Sequence, residues 1–330
     1  MKFLIAGLGS IGRRHLRNLR TLGQENILLY RTHQATLPDA EFGDFPTFPE
    51  LSLALAEKPD GVIIANPTAL HLEVAISAAK AGAALLIEKP VSDSLARLGE
   101  LQSALKASGK PLMVGFHFRF HPVLNQVEVL LESGQLGKPL SARAHWGEYL
   151  PGWHPWEDYR RSYAARADLG GGVVNTLSHP LDYLRWLLGE VESVSAWTGK
   201  LSQLELDVED HADILFRFTG GEAASVHLDY YQRPPSHTLE ITCEGGRISW
   251  DNASGEARVF HAQSGATDVL VPPEGFERNQ MFLDEMATFV RLCQGETLPH
   301  CTLADGIRVQ ELVLAVKQSA AQDGAMVRLA

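Results

Sequence analysis

The chain has 330 residues, a formal net charge of −11, 45% hydrophobic residues and 21% charged residues. That length allows two domains with cores of their own, and the composition is ordinary for a soluble globular protein. The acidic balance excludes nucleic acid and an anionic membrane surface as expected partners, no apolar run approaches the ~18 residues of a membrane span, and Cys243, Cys293 and Cys301, with no Cys-x-x-Cys pair, fit a reducing cytoplasm.

In chain order, the first third alternates apolar strands with amphipathic helices. Phe3–Ala6 reads as a strand that leads straight into glycines, so the start of the chain reads as buried structure and not as a leader. Ile11–Leu22 reads as a helix with Arg13, Arg14, Arg17 and Arg20 on its polar faces. Strands are expected at Asn26–Tyr30, Gly61–Ala65, Ala84–Ile87 and Pro111–Gly115. Helices are expected at Phe48–Ala56, Leu70–Ala81 and Ser92–Ser108, the last capped by Ser92 or Asp93. This alternation predicts an α/β Rossmann domain with a doubly wound parallel sheet over residues 1–122.

The pattern then changes. Pro122–Ser133 reads as a helix, Ser141–Tyr149 as a strand, and Leu150–Trp156 as a loop rich in Trp and Pro. A helix is expected to open after Gly170-Gly171-Gly172 and run to Leu188. Strands follow at Val194–Leu201, Ala212–Phe218, Ala223–Tyr231, His237–Cys243, Gly246–Trp250 and Ala257–His261, with glycine pairs between several of them. Helices at Gln280–Cys293 and Thr302–Ala321 close the chain. Residues 123–330 therefore read as an α+β domain with a largely antiparallel sheet.

The stretch Gly7-Leu8-Gly9-Ser10-Ile11-Gly12 follows a strand and opens a helix, the context in which a GxGxxG is informative. Gly7 permits the tight turn, Gly9 lets a pyrophosphate reach the backbone, and Gly12 allows the helix to pack closely on the strand. The N–H groups of Ser10, Ile11 and Gly12 face the phosphates at the positive end of the helix. The second strand ends in Tyr30-Arg31-Thr32, with no acidic residue to bind a ribose 2′-hydroxyl, so NADP is favoured over NAD, with Arg31 and Thr32 as the phosphate contacts. Asn66-Pro67-Thr68-Ala69-Leu70-His71 and Glu88-Lys89-Pro90 both stand at carboxyl ends of strands, where open α/β sheets bind ligands. This makes Asn66, Pro67, His71, Glu88 and Lys89 cofactor candidates. A partly desolvated Lys89 is also a candidate for proton transfer. The four histidines His117, His121, His145 and His154 have no Cys pair or HExxH beside them, and no metal is expected.

With Gly170-Gly171-Gly172-Val173-Val174-Asn175-Thr176-Leu177-Ser178-His179 and the late Asp305-Gly306 added, the whole chain resembles the Gfo/Idh/MocA oxidoreductases. The resemblance implies a dehydrogenase or reductase that moves a hydride between a nicotinamide and a hydroxyl or keto carbon of a sugar, cyclitol or sugar derivative. It implies that the sheet of the second domain is open-faced and that this domain serves substrate binding and oligomerisation, with Lys89 near substrate and nicotinamide, and His179 as acid/base. Sugar-oxidising members carry an Asp where this chain has Asn175, followed by Thr176, which shifts weight from His179 to Lys89. Arg119 is a cofactor candidate. His117, Tyr149, Trp153, His154, Asn175 and Thr176 are substrate candidates, and Asp182 is expected to be structural. A homodimer or homotetramer is expected. Two alternatives stay open: a glycosidase that works by transient oxidation on bound NAD, and a non-catalytic NAD(P)-binding regulatory protein.

Overall fold

The computed structural model describes residues 1–32, 43, 45–298 and 301–329. Two compact units emerge. The first holds Met1–His117, Asp168–Gly170 and Arg278–Gln310; the second holds Phe118–Ala167, Gly171–Glu277 and the chain from Glu311 onward.

The first unit runs β1 (Phe3–Ala6), α1 (Ser10–Thr21), β2 (Ile27–Tyr30), β3 (Thr47–Phe48), α2 (Leu51–Ala56), β4 (Gly61–Ile64), α3 (His71–Lys80), β5 (Ala84–Glu88), α4 (Leu98–Ser108) and β6 (Leu112–Gly115). Its six strands are all parallel, in the order β3-β2-β1-β4-β5-β6. Every residue of β1, β4, β5 and β6 is buried, as expected of strands covered on both faces. The strand order reverses between β1 and β4, the switch point at which doubly wound sheets bind ligands off their carboxyl ends. In α1, Gly12, His15, Leu16 and Leu19 form the buried face.

Two helix starts differ from the sequence expectation. Phe48 lies in β3 and the helix waits until Leu51, because the residue before Pro49 is pushed out of the helical region. Likewise α4 begins at Leu98, after Arg97 at φ 64°, and not at Ser92. The Ser92 hydroxyl instead accepts the Ser94 N–H at 3.3 Å, which makes it a local turn residue.

The second unit contains α5 (Pro122–Glu132), β7 (Pro139–Gly147), α6 (Val173–Thr176), α7 (His179–Leu188), β8 (Val191–Gly199), β9 (His211–Phe218), β10 (Ala223–Asp229), β11 (Ser236–Cys243), β12 (Gly246–Asp251), β13 (Ala257–His261) and β14 (Thr267–Leu270). Helix α8 (Arg278–Cys293) returns to the first unit, α9 (Leu303–Ala321) follows, and β15 (Val327–Arg328) ends the description. The expected single helix from Gly172 to Leu188 is two helices. Pro180, in the first turn of α7, has no N–H to continue the α6 ladder, and the chain breaks at Leu177-Ser178.

The nine strands are ordered β14-β13-β12-β11-β7-β10-β9-β8-β15, antiparallel except for the pair β7/β10. One face buries Ala142, Ala144, Trp146, Ile214, Phe216, Val226, Leu239 and Ile241. On that side His179 and Tyr183 of α7 meet Trp146 and His237. The other face leaves Leu215 61% and Trp197 49% exposed. Strands β3, β14 and β15 were not expected: β3 and β15 have two residues each, and β14 is exposed along most of its length, so none of the three buries an alternating row that a sequence would display.

Candidate active site

Three glycines shape the loop after β1, each differently. Gly7 stands at φ +96°, and a Cβ there would lie 2.5 Å from the Asn66 nitrogen. A Cβ on Gly12 would lie 2.0 Å from the Gly7 carbonyl oxygen, so only glycine lets α1 sit this close to its own loop. A Cβ on Gly9 would meet nothing within 4 Å among the described residues. The ground above Gly9 is therefore open, at the N-terminus of a twelve-residue helix with no side-chain cap and no acidic residue in its first turn. Beside it, Asn66 Oδ1 is buried with no hydrogen-bond partner among the described residues. Open space over backbone donors, plus a waiting acceptor, fits the dinucleotide expected there.

Other expected residues are placed as follows. Arg13 is buried, with Nε donating to the Leu8 carbonyl at 3.1 Å, so it braces the glycine loop and does not lie on a polar face. Arg31 is buried and Thr32 exposed, and the Arg31 N–H donates to the Phe48 carbonyl at 3.1 Å. Pro67 precedes a single 3-10 turn, Thr68–Leu70. His71 is buried with one ring nitrogen 2.8 Å from the Asn66 carbonyl and the other 3.0 Å from the Pro90 carbonyl. Burial lowers its pKa, and the neutral ring donates to one carbonyl at a time. Both ring nitrogens are thus turned to backbone, and His71 ties the Asn66 loop to the Lys89 loop. Gly170, at φ +79°, packs against Thr68, Ala69 and Asp93. Gly306 lets α9 approach Val114 of β6, and Asp305 closes a capping exchange with Thr302.

Glu88 and Lys89, adjacent in sequence, influence each other's charge. Glu88 is buried and turned inward, with Oε1 2.7 Å from Nε2 of His15. Burial opposes its charge, yet His15 and Lys89 hold its carboxyl below the usual carboxylate range. Of its two oxygens, Oε1 is thus engaged by His15, while Oε2 accepts the Lys89 backbone N–H at 3.3 Å. Glu285, on α8, lies in the same cluster, with neither carboxyl oxygen hydrogen-bonded among the described residues. Burial first, and the Glu88 charge second, push Glu285 well above the carboxylate range, so it is held as the neutral acid. The Lys89 ammonium is pushed down to about 8 by burial; Glu88 opposes that shift and Arg278 adds to it. A lysine of this kind exchanges a proton near physiological pH.

In the second unit, His179 opens α7 and is 1% exposed. The Phe118 ring meets it edge-on at 4.9 Å, and Trp146 stacks at 5.8 Å. Asn175 donates from Nδ2 to the Gly171 carbonyl at 3.1 Å, a local helix bond, and Thr176 is buried beside it. Arg119 makes a forked pair with buried Asp182, its three contacts running from 2.7 to 3.2 Å. Asp182 is thus structural, and Arg119 is its ion-pair partner. His117 belongs to the first unit, buried and stacked on Phe282 at 4.1 Å. His121 caps α5, and burial lowers its pKa to about 4. Tyr149 lies under the Arg233 guanidinium at 4.1 Å. Trp153 Nε1 and His154 Nδ1 are buried with no hydrogen-bond partner among the described residues, which suits a polar ligand at that loop. His145 projects from the exposed face of the sheet, opposite to Trp146.

Sequence reasoning missed His15, Glu285 and Glu209. The first two stand at buried helical positions, a titratable residue inside an apolar stripe, which was the available signal. Glu209 occupies the space above Gly172, where a Cβ would lie 2.3 Å from its Oε1, and accepts the Val174 N–H at 3.3 Å.

Comparison with known proteins gives two family matches. Residues 1–116 match an oxidoreductase family with an NAD-binding Rossmann fold, and residues 124–249 match the GFO/IDH/MocA C-terminal domain. The chain is 27% identical to the myo-inositol 2-dehydrogenase of Thermotoga maritima, covering 97% of this chain and 96% of that one. It is 27% identical to an uncharacterized oxidoreductase, YrbE, of Bacillus subtilis, covering 96% and 93%. A levoglucosan dehydrogenase solved with NADH superposes with a TM-score of 0.86 at 20% identity, covering 100% of this chain and 99% of that one, a likeness of fold. No helix among the described residues is long and apolar enough to cross a membrane.

Proposed function

We propose that this chain, which belongs to the Gfo/Idh/MocA oxidoreductase family, transfers a hydride between a nicotinamide dinucleotide and a hydroxyl or keto carbon of a sugar, cyclitol or sugar derivative. The observation that carries the reading is the open, uncapped start of α1 over Gly9, together with a half-buried Lys89 at the end of β5. The residues that would hold the dinucleotide are Gly7, Gly9, Ser10, Ile11, Gly12, Asn66 and Pro67, with Arg31 and Thr32 beyond them. His71 holds two of these loops together. The bound dinucleotide supplies the hydride acceptor.

Oxidation of an alcohol also requires the hydroxyl proton to leave, and a group that titrates near neutrality does this best. Lys89, pushed down to about 8, takes that proton as the free amine and returns it as the ammonium in the reverse reaction. Glu88 keeps a negative charge beside it, so the ammonium has a counterion. His179 is the second candidate acid/base. Asn175, bonded to backbone, supplies no charge to it. Trp153, His154, Tyr149 and Thr176 are the proposed substrate contacts, His117 is one further, and Arg119 is a proposed cofactor contact.

Finer assignments follow on the same footing. Arg31 in place of an acidic residue favours NADP. The few free cysteines favour the cytoplasm. The exposed sheet face with Leu215 and Trp197 favours a homo-oligomer. The decisive experiment is a panel of sugars, inositols and sugar acids assayed for reduction of NAD and NADP. Reduction of one cofactor by a polyol or sugar is expected. Absence of reduction across the panel, with cofactor affinity unchanged by Gly9→Val, would overturn the reading, and aglycone release without net reduction would point to a glycosidase.

A further inference from the structure

On the exposed face of the second unit's sheet, register brings together residues far apart in sequence. His145 of β7 pairs with His227 of β10, which pairs with Asp213 of β9. The next row on the same face is Gly147, Asp229 and His211. Gly147 is essential to the block. A Cβ there would lie 2.3 Å from Asp229 Oδ2 and 2.2 Å from Gln232 Oε1, so only glycine lets the carboxylate and the amide lean over β7 beside His145.

We propose that this block is a binding site for a divalent transition-metal ion of the zinc class, with His145, His227 and Asp229 as its protein ligands and water completing the coordination. The three donor atoms lie within 4.8 Å of one another. The edge from His227 Nε2 to Asp229 Oδ2 is 3.1 Å. Bonds of ~2.0–2.1 Å in a tetrahedral site place neighbouring donors about 3.3 Å apart, so this edge needs almost no adjustment. The His145 ring, stacked at 4.7 Å on that of His227, tilts to bring the third donor in.

The supporting contacts are those a metal site needs, since ligating groups are fixed by hydrogen bonds on their far sides. Nδ1 of His227 donates to Asp213 Oδ1 at 2.8 Å, a carboxylate behind a ligating imidazole. Asp213 is itself held by His211 at 3.0 Å, and His211 by the Tyr231 hydroxyl at 2.7 Å. Nε2 of His145 donates to Gln232 Oε1 at 2.6 Å. The second oxygen of Asp229 accepts the N–H groups of Tyr231 and Gln232, at 2.9 and 2.6 Å. Two imidazoles and one carboxylate, with two carboxylates in all to balance a double positive charge, select zinc or cobalt over magnesium or calcium.

The test uses the full chain, stripped with a chelator and dialysed. Zinc chloride is titrated against a chromophoric chelator, and cobalt(II) is added separately for its visible spectrum. One ion per chain and a tetrahedral cobalt spectrum are expected. His145→Ala and His227→Ala should each weaken binding at least a hundredfold, and Asp213→Asn by about ten- to a hundredfold. His261→Ala, which removes a surface histidine paired with Asp268 in this sheet, should leave binding unchanged. Circular dichroism checks each variant's fold. If a variant unfolds, zinc-edge absorption of the loaded wild-type chain decides instead, by showing two imidazole ligands or not. Less than half an ion per chain, binding untouched by His145→Ala and His227→Ala, or a spectrum without two imidazoles would each overturn the proposal.

Discussion

Gly9 and Gly12 lie three residues apart in one loop, yet alanine at each should fail in opposite ways. Gly9 has φ −70° and ψ −170°, values open to any residue, and its added Cβ meets nothing within 4 Å among the described residues. Restricting the unfolded chain favours alanine by ~0.4–1 kcal/mol, while a poorer helix N-cap costs a similar amount. Gly9→Ala should thus melt within about 2 °C of wild type, given ~2–4 °C per kcal/mol in a chain of this order of size. The methyl group nevertheless occupies the approach to the backbone donors. Losing a charge-assisted contact of ~1.5–3 kcal/mol weakens dinucleotide binding about ten- to a hundredfold. At Gly12 the added carbon lies 2.0 Å from a backbone oxygen. Overpacking near the top of its usual ~1–3 kcal/mol range, less ~1 kcal/mol of helix propensity, leaves a loss of about 2 kcal/mol and lowers the melting temperature by about 4–8 °C. Thermal denaturation and fluorescence titration with NADH and NADPH read both quantities. A Gly9→Ala chain that binds dinucleotide like wild type, or a Gly12→Ala chain that melts like it, refutes the assignment of roles within the loop.

Lys89→Ala should lower alcohol oxidation by about 10²–10⁴-fold without unfolding the chain, and the wild-type rate should climb with pH through about 8 as the free amine forms; a profile flat across that range removes Lys89 as the base. The folded-state pKa of Glu285 is raised, so its contribution to stability is complete below the ordinary carboxylate value and is lost as pH rises above it. Glu285→Gln cannot ionise and should therefore gain on wild type as pH is raised from 5 to 7.5, in melts run at each pH, and a constant difference would mean that Glu285 is ionised throughout. Arg119→Leu should cost about 3 kcal/mol by stranding buried Asp182, and the double change Arg119→Leu/Asp182→Leu should recover most of it, measured by urea unfolding.

Where one local rule governs, the sequence was legible. Runs such as Phe3–Ala6 and Ala84–Glu88 are apolar throughout because both faces of a parallel strand are covered, and their positions were read to within a residue. Helix starts are less legible, because serine has several uses: Ser92 caps a turn and not α4. Pro49 and Pro180 carried the needed information, since each forbids the backbone state that a purely periodic reading extends through them.

In the site, residue type located the loops but not the direction of each side chain. Glu88 and Lys89 sit side by side after the same strand, and only the presence of His15 on the buried face of α1 determines that the carboxylate turns inward. That partner lies 73 residues away, so no motif window contains both. The histidine block is the extreme case. His145 and His227 are 82 positions apart, and their adjacency exists only because β10 joins the sheet parallel to β7, in a sheet otherwise antiparallel. A shift of one residue in that register would turn His227 into the core and bring Val226 or Leu228 to the exposed face. The apolar alternation of β10 forbids that shift, so the same burial that builds the core also fixes which imidazoles meet on the other side.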